Sequence, residues 1–244
     1  MKRPIVFILL MFLFVNTYSQ SNQNGFLLSQ VLKQLQLKPS NIHKELYREK
    51  KLPNKPSQTV LVIPKYKTNE TDDEGHLFLE LDAYIIIADS STGKILYQYI
   101  EDNAWTSDAM VLSDITIDTG LYQLNETDRA FGTRVSYHGS SGPNPYSSTD
   151  LSLYIVQNHT LKKILNNYQI DLDNGEWDTK CAGEFNQING VIDLDKNKTD
   201  GYKNIIIKSD IQQTKSFIKN GECEEKVTTK NTTRYLKYNG KEFQ

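Results

Sequence analysis

The acidic segment from Ile192 to Asn204 carries side chains that are suited to binding a cation. Oxygen-bearing side chains alternate along it and continue beyond the next turn. Calcium takes about six to eight hard oxygen ligands from a flexible loop, including backbone carbonyl oxygens. The segment therefore predicts a calcium site, for which the candidate ligands are Asp193, Asp195, Asn197, Asp200 and Asn204. A solvated polar hairpin closed by an Asp-Gly turn is the alternative that explains the same residues.

The same segment resembles the Asp-x-Asp-x-Asp-Gly-x-x-Asp loops of FG-GAP and related calcium-binding β proteins. Asp193 and Asp195 match the first pair, and Asp200 with the glycine after it matches the Asp-Gly step. Asn204 takes the place of the last aspartate, and three additional residues interrupt the motif. An EF-hand fits less well, because Lys198 stands where that loop has its glycine. The resemblance covers this loop and its flanking strands, and it implies calcium as a cofactor.

A second candidate site is the segment Tyr137–Thr149, which is rich in glycine, serine and proline and connects two predicted strands. Its prolines restrict the backbone, and its tyrosines offer rigid contact surface at a low entropic cost. Long ordered loops often carry function. We therefore predict that this segment binds a macromolecular partner through Tyr137, His138, Ser141, Gly142 and Tyr146. A plain surface hairpin loop is the alternative.

Part of this segment resembles the Ser-Gly-x-x-Tyr loop of bacterial periplasmic lysozyme inhibitors. Ser141, Gly142 and Tyr146 match that loop, with one additional residue before the tyrosine. Proteins of that family insert the loop into the active-site cleft of lysozyme, and inhibitor-like β proteins can also carry a calcium loop. The resemblance implies a non-catalytic inhibitor of a cell-wall lytic enzyme.

Two further functional hypotheses do not involve the calcium segment or Tyr137–Thr149. Carboxylates cluster in the sequence around Trp177, and a pair of carboxylic acids beside an aromatic ring is an ingredient of glycan-hydrolase sites. Those carboxylates are Asp171, Asp173, Glu176, Asp178 and Glu184. A secreted glycan-acting hydrolase is thus one alternative, and a structural envelope protein without a ligand is another. The serines near Gly139 do not match the Gly-x-Ser-x-Gly nucleophile motif, so we predict no catalytic residue there.

The cysteine count and the first residues indicate the compartment. Cys181 and Cys223 are the two cysteines of the chain, and in an exported protein they most simply form one disulfide. Residues 1–19 have a basic start, a short apolar run and a small-residue cleavage site, which predicts a signal peptide. We therefore expect a bacterial protein that is periplasmic or secreted, with no transmembrane segment in the mature chain.

The charge balance excludes one class of partner. The formal net charge of the chain is −2, and it becomes more negative once the basic signal peptide is removed. No basic patch emerges along the sequence, so we predict no nucleic-acid partner.

The elements that must position these sites change in character near residue 57. Residues 20–56 predict a helical lead-in and linker, with one amphipathic helix from Phe26 to Leu35, a second from Ile42 to Lys50 and a linker at 52–57. From Gln58 onward the apolar period is two, which predicts a single β domain over 57–244. The strands are expected at 59–64, 77–87, 94–100, 110–117, 132–137, 151–157, 162–170, 190–194, 204–209 and 233–238. We predict an all-β sandwich, barrel or propeller-like antiparallel domain.

Overall fold

The computed structural model describes residues 24–75 and 77–244. The predicted signal peptide, residues 1–19, lies outside this part. The elements are α1 (Asn24–Gln34), a 3-10 turn (Pro39–Asn41), β1 (Arg48–Leu52), β2 (Lys55–Thr71), β3 (Leu77–Asp89), β4 (Ile95–Ser107), β5 (Met110–Asp118), β6 (Phe131–Gly139), β7 (Tyr146–Gln157), β8 (Thr160–Trp177), β9 (Gly183–Thr199), β10 (Tyr202–Lys219) and β11 (Glu222–Leu236).

The strands form two antiparallel sheets, which confirms the predicted all-β fold with a short helix near its N-terminus. One sheet has the order β1-β2-β3-β4, and the other has the order β11-β10-β9-β8-β7-β6-β5. Within each sheet every strand pairs with its neighbours along the chain, and the chain passes from one sheet to the other between β4 and β5. The regular alternation of short apolar runs with turn residues leads to this arrangement, because antiparallel neighbours need only tight connections.

The main core lies between the two sheets. Val62 and Ile85 of the four-stranded sheet pack in one cluster with Val135 and Tyr154 of the seven-stranded sheet, and all four side chains are buried. A second cluster covers part of the other face of β7, where Leu151 and its neighbours pack with the inner ends of β10 and β11. These clusters hold the central strands in register, because a slip by one residue would turn the apolar side chains to the opposite face.

A buried ion pair adds a polar link between the sheets. The Lys163 ammonium group contacts the Glu101 carboxylate and lies 5.6 Å from the centre of the Tyr99 ring. Only 8% of the Lys163 side chain is exposed, so the pairing and the ring contact offset the cost of removing its charge from water.

Helix α1 covers the outer face of the four-stranded sheet, which explains why two of its strands are continuously apolar. Leu27 and Val31 pack against Leu61 and Ile86, which point away from the main core. The predicted first helix is confirmed, and its apolar side chains are spaced to form this single packing face. With both faces of the sheet covered, both sets of alternating side chains on β2 and β3 are buried.

The second predicted helix and the linker are both wrong. Residues 48–52 form β1, in which Arg48 pairs with Val62, and the residues that follow make the turn into β2. The error has a physical origin. β1 is an edge strand, and four of its five residues are charged. Charged side chains protect an exposed sheet edge from pairing with other chains, and they also hide the strand from a search for apolar alternation.

Strands β8–β11 are longer than the apolar pattern predicts. The acidic stretch around Trp177 lies outside the predicted strands, but it forms the paired ends of β8 and β9 around a short turn at 178–182. We call residues 171–190 and 209–231 the distal arm. Within the described part of the chain, none of the three buried clusters includes a residue of this arm.

The disulfide closes the tip of the distal arm and confirms the predicted cysteine pairing. The Sγ atoms of Cys181 and Cys223 lie 2.08 Å apart, and the bond joins the β8–β9 turn to the start of β11. The Asp178 carboxylate shapes that turn, because it accepts hydrogen bonds from the backbone N–H groups of Lys180 and Cys181. Among residues 24–75 and 77–244, no helix combines the length and the apolar character needed to cross a membrane.

Candidate functional site

The predicted partner-binding segment is a hairpin with a shorter loop than expected. Strand β6 continues to Gly139 and β7 begins at Tyr146, so the loop comprises only residues 140–145. Tyr137 and His138 therefore belong to β6, where they pair with Ser148 and Ser147. The serine- and threonine-rich start of β7 has no apolar alternation, and its pairing with both neighbours makes it a strand.

The loop at 140–145, which we call the partner loop, is anchored to the end of β8. Backbone N–H groups of Gly175 and Trp177 donate to the carbonyl oxygens of Pro145 and Pro143, at 3.1 and 3.0 Å. The indole Nε1–H of Trp177 also donates to the carbonyl oxygen of Gly142 at 2.8 Å. These three bonds fix the backbone of the loop from one side.

The side chains of the partner loop face outward. Residues 140–144 are all exposed, and a Cβ placed on Gly142 would meet nothing within 4 Å. Within the loop, the backbone N–H of Asn144 donates to the Ser141 hydroxyl at 3.2 Å. The predicted contact residues Ser141 and Gly142 therefore lie on an ordered, exposed tip.

The other predicted contact residues lie at the base of the hairpin. Tyr137 is half-buried and packs against the main core. Burial, with a smaller effect of the Asp150 carboxylate, raises the pKa of the Tyr137 hydroxyl to about 12. Tyr146 is half-buried beside the loop, whereas His138 is exposed on the opposite face of the sheet from Tyr137. The structure thus does not bring these five side chains to one contact point.

The outer face of the seven-stranded sheet carries two rows of polar side chains that run from β6 to the distal arm, and we call them the polar strip. Directly opposed residues share a face of a sheet, so the strand registers define each row. One row crosses β6 to β11 through His138, Ser147, Asp173, Gln187, Gln212 and Thr229. The adjacent row consists of Ser136, Thr149, Asp171, Asn189, Asp210 and Asn231.

The polar strip is open to solvent and is largely free of internal bonds. An open depression of about 340 Å³ lies over its first four strands. Asp171 accepts a hydrogen bond from the backbone N–H of Gly190 at 3.1 Å. Within the described part of the chain, Asp173, Gln187 and Gln212 make no side-chain hydrogen bond or ion pair. Their donors and acceptors are therefore available to a ligand.

Two aromatic rings adjoin the strip on the same face. Trp177 follows Asp173 on β8 and Phe185 precedes Gln187 on β9. Both intervals are even numbers of residues, so the two rings lie on the same face as the strip. Their ring centres are 6.2 Å apart. Each aromatic residue is paired with a glycine on the neighbouring strand. A Cβ on Gly175 would come within 2.4 Å of the Phe185 ring, and a Cβ on Gly183 would come within 2.4 Å of the Trp177 Cβ. Glycine at 175 thus leaves room for the Phe185 ring, and glycine at 183 leaves room for the Cβ and backbone of Trp177.

The carboxylates around Trp177 do not form one cluster. Asp171 and Asp173 lie on the strip, whereas Glu176 and Glu184 oppose each other on the other face. Asp178 belongs to the disulfide-linked turn, where backbone N–H groups of Cys181 and Lys180 lower the pKa of its carboxyl. The five carboxylates are thus divided between the two faces of the sheet and the disulfide-linked turn.

The predicted calcium ligands lie along the β9–β10 hairpin. The Asp193 carboxylate pairs with the Lys208 ammonium group at 3.0 Å, which together with the Leu194 backbone N–H lowers the pKa of Asp193. Asp200 lies in the turn itself, in a left-handed conformation with φ of 46°.

The remaining three predicted ligands are linked to one another. The Asp195 carboxylate accepts from the side-chain amides of Asn197, at 3.3 Å, and Asn204, at 3.5 Å. The side-chain oxygen Oδ1 of Asn204 accepts from the Thr199 hydroxyl at 2.7 Å. Among the described residues, no group of three or more His, Cys, Asp or Glu side chains is placed to hold a metal ion. Calcium binding remains a prediction.

Comparison with known proteins gives no family model that matches the chain, no curated protein that matches it and no solved structure that matches its fold. The geometry of the described residues is therefore the basis for a functional proposal. Sequence reasoning identified the partner loop and the disulfide, but it did not identify the polar strip. The spacing of Gln187 and Asn189 in the sequence indicates that they share one face of a strand. Only the strand registers show that polar residues of six strands lie in line.

Proposed function

We propose that this chain is an exported, non-catalytic β protein that binds a macromolecular partner through the partner loop. In its most specific form, the partner is a cell-wall lytic enzyme, and the protein inhibits it as periplasmic lysozyme inhibitors do. The observation that carries the proposal is the anchoring of an exposed loop by three hydrogen bonds to β8.

The anchored loop supports tight binding for an energetic reason. Association costs free energy for every segment that must become ordered, and a loop that is already held in one conformation avoids much of this cost. The prolines at 143 and 145 restrict the backbone further, and their carbonyl oxygens are the acceptors of the β8 bonds. Gly142 leaves free space at the tip, so the backbone there is able to approach the floor of a cleft closely.

The surroundings of the loop support a protein partner. Asn144 at the end of the loop lines an open depression of about 550 Å³, together with Glu184, Lys215 and Lys226. Charged groups of both signs at the rim of an interface favour one orientation of the partner. The disulfide and the predicted signal peptide support a periplasmic or secreted location, because disulfides persist in oxidising compartments.

Inhibition of muramidase activity tests the proposal. The purified protein is mixed with lysozymes of several structural types, and hydrolysis of bacterial cell walls is followed together with complex formation by gel filtration. We expect inhibition of at least one type at equimolar concentration. If no type is inhibited and no complex forms, the proposal that the protein is a lysozyme inhibitor is contradicted.

A substitution at the tip provides the specific variant. Gly142→Tyr adds a large side chain in open space, so the fold should tolerate it while the loop no longer enters a cleft. We expect at least a tenfold loss of inhibition with an unchanged melting temperature. Gly25→Tyr is the matched control, since Gly25 also has free space around its Cβ and lies on α1. Equal losses in both variants would contradict a role for the loop.

A further inference from the structure

We propose that the polar strip binds a neutral, polyhydroxylated glycan chain that lies across the six strands from β6 to β11. The proposal concerns a second binding surface and does not depend on the identity of the enzyme that the partner loop binds. Adjacent strands are about 4.8 Å apart, so six strands give a strip roughly 24 Å long. A strip of this length accommodates several consecutive sugar rings.

The side chains of the strip match the hydrogen-bonding chemistry of sugars. Each sugar hydroxyl is both a donor and an acceptor. Carboxamides such as those of Gln187 and Gln212 offer both functions, and the Asp173 carboxylate accepts from two hydroxyls at once. These three groups are opposed on neighbouring strands, have no internal partner and are exposed. A chain of sugar rings across the strands would thus meet a group able to bond it at each step.

The charge of the strip selects the kind of glycan. The two rows contain three aspartates and no lysine or arginine. A polyanionic glycan or a nucleic acid would therefore be repelled by these aspartates, and the lysine next to the strip, Lys208, is already paired with Asp193. The strip also contains no large apolar side chain, whereas the centre of a protein interface is enriched in apolar and aromatic groups and depleted of charged ones. A neutral polyhydroxylated ligand fits better than either alternative.

The aromatic pair supplies the apolar contact that sugar recognition also needs. Trp177 and Phe185 lie on the strip side of the sheet, next to Asp173 and Gln187 along their strands. A sugar ring has an apolar face made by its C–H groups, and this face packs against a flat aromatic ring while the hydroxyls remain free to bond. The indole of Trp177 is held by Gly142, so its position is fixed before a ligand arrives.

Calorimetric titration tests the proposal with neutral hexasaccharides of β-1,4-linked glucose and of β-1,4-linked N-acetylglucosamine, and a sulfated heparin hexasaccharide serves as the anionic comparison. We expect the full-length folded protein to bind at least one neutral hexasaccharide and not the sulfated one. Absence of binding to both neutral probes, or binding of the sulfated probe alone, would overturn the proposal.

Two consecutive glutamines provide matched variants. Gln212 lies on the strip and Gln213 on the opposite face of β10, and both are exposed. We expect Gln212→Ala to weaken glycan binding about fivefold and Asp173→Ala at least tenfold, because a hydrogen bond to a charged group is the stronger one. Gln213→Ala should bind as the wild type does. An equal loss in Gln213→Ala and Gln212→Ala would place the glycan elsewhere and overturn the proposal.

The two proposals fail separately. Gln212→Ala should inhibit a lytic enzyme as well as the wild type does, since Gln212 lies two strands away from β8 and outside the partner loop. Conversely, Gly142→Tyr should retain binding of the neutral hexasaccharide while losing inhibition. If the wild-type protein lacks one of the two activities, the proposal for the other activity is therefore unaffected.

Discussion

The indole Nε1–H of Trp177 donates to the carbonyl oxygen of Gly142 at 2.8 Å, across 35 positions of the sequence. This bond joins the partner loop to the aromatic end of the polar strip. One side chain thus both orders the loop and contributes to the surface proposed for glycan binding. Removing the indole N–H should separate the two effects, because the apolar ring can be retained.

Replacing Trp177 with phenylalanine keeps an aromatic ring and removes the donor. We expect Trp177→Phe to weaken inhibition about fivefold, corresponding to about 1 kcal/mol for one lost hydrogen bond. Glycan binding should weaken less than inhibition does, because phenylalanine keeps an aromatic ring although the bond that positions the ring is lost. Hydrogen exchange measured by mass spectrometry should show faster exchange in residues 139–146 of the variant. Unchanged exchange in that segment would contradict the anchoring role of the indole.

The disulfide should stabilise the folded chain by cross-linking two segments of the distal arm. The bond closes a loop with a sequence separation of 42, for which the chain-entropy relation gives about 4 kcal/mol. We expect the Cys181→Ala, Cys223→Ala double variant to lose about 2 to 4 kcal/mol of unfolding free energy in guanidinium titrations. Added reductant should lower the stability of the wild type and leave the double variant unchanged. A wild type that is insensitive to full reduction would contradict this prediction.

Asp82 should make the stability depend on pH in the acid range. Burial alone would raise the pKa of this carboxyl, but Lys65, at 2.7 Å, and the backbone N–H of Asn103, at 3.1 Å, outweigh burial and lower it. A carboxyl with a lowered folded-state pKa stabilises the fold above its unfolded-state pKa of about 3.9, and this contribution is lost as pH falls through the folded-state pKa. The free energy of unfolding should therefore decrease below about pH 4.

The variant Asp82→Asn isolates this contribution. It should lose about 2 kcal/mol at pH 7, the typical magnitude for a hydrogen bond to a charged group. Its stability should also fall less steeply than that of the wild type in acid. Urea unfolding from pH 2.5 to 7 measures both effects, and parallel pH profiles for the two proteins would contradict the assignment to Asp82.

The calcium prediction requires Lys208 to release Asp193, because a calcium ion and the ammonium group would compete for the same carboxylate. We expect the melting temperature to be higher with calcium than with chelator, since an ion that binds only the folded state stabilises it. Lys208→Ala should increase this difference, and Asp195→Asn should abolish it. Identical melting curves with calcium and with chelator would contradict the prediction that the protein binds calcium.

The apolar pattern predicted the central strands well because those strands bury their side chains. Val62 and Ile85 alternate with residues that contact the helix, and such runs are recognisable without knowledge of the partner strand. The same method failed for β1 and for the distal arm. Their side chains are charged or polar, and their strand conformation depends on main-chain hydrogen bonds to neighbours, which every residue type except proline is able to both donate and accept.

The sequence by itself determined the β class, the first helix and the cysteine pairing, because burial and oxidation depend on residue types that are visible in the chain. The tertiary structure alone decided which polar groups share a surface. Asp173 and Gln212 are opposed through Gln187 only because the registers of three strands align them. A shift of one residue would place them on opposite faces, since the side-chain period of a strand is two.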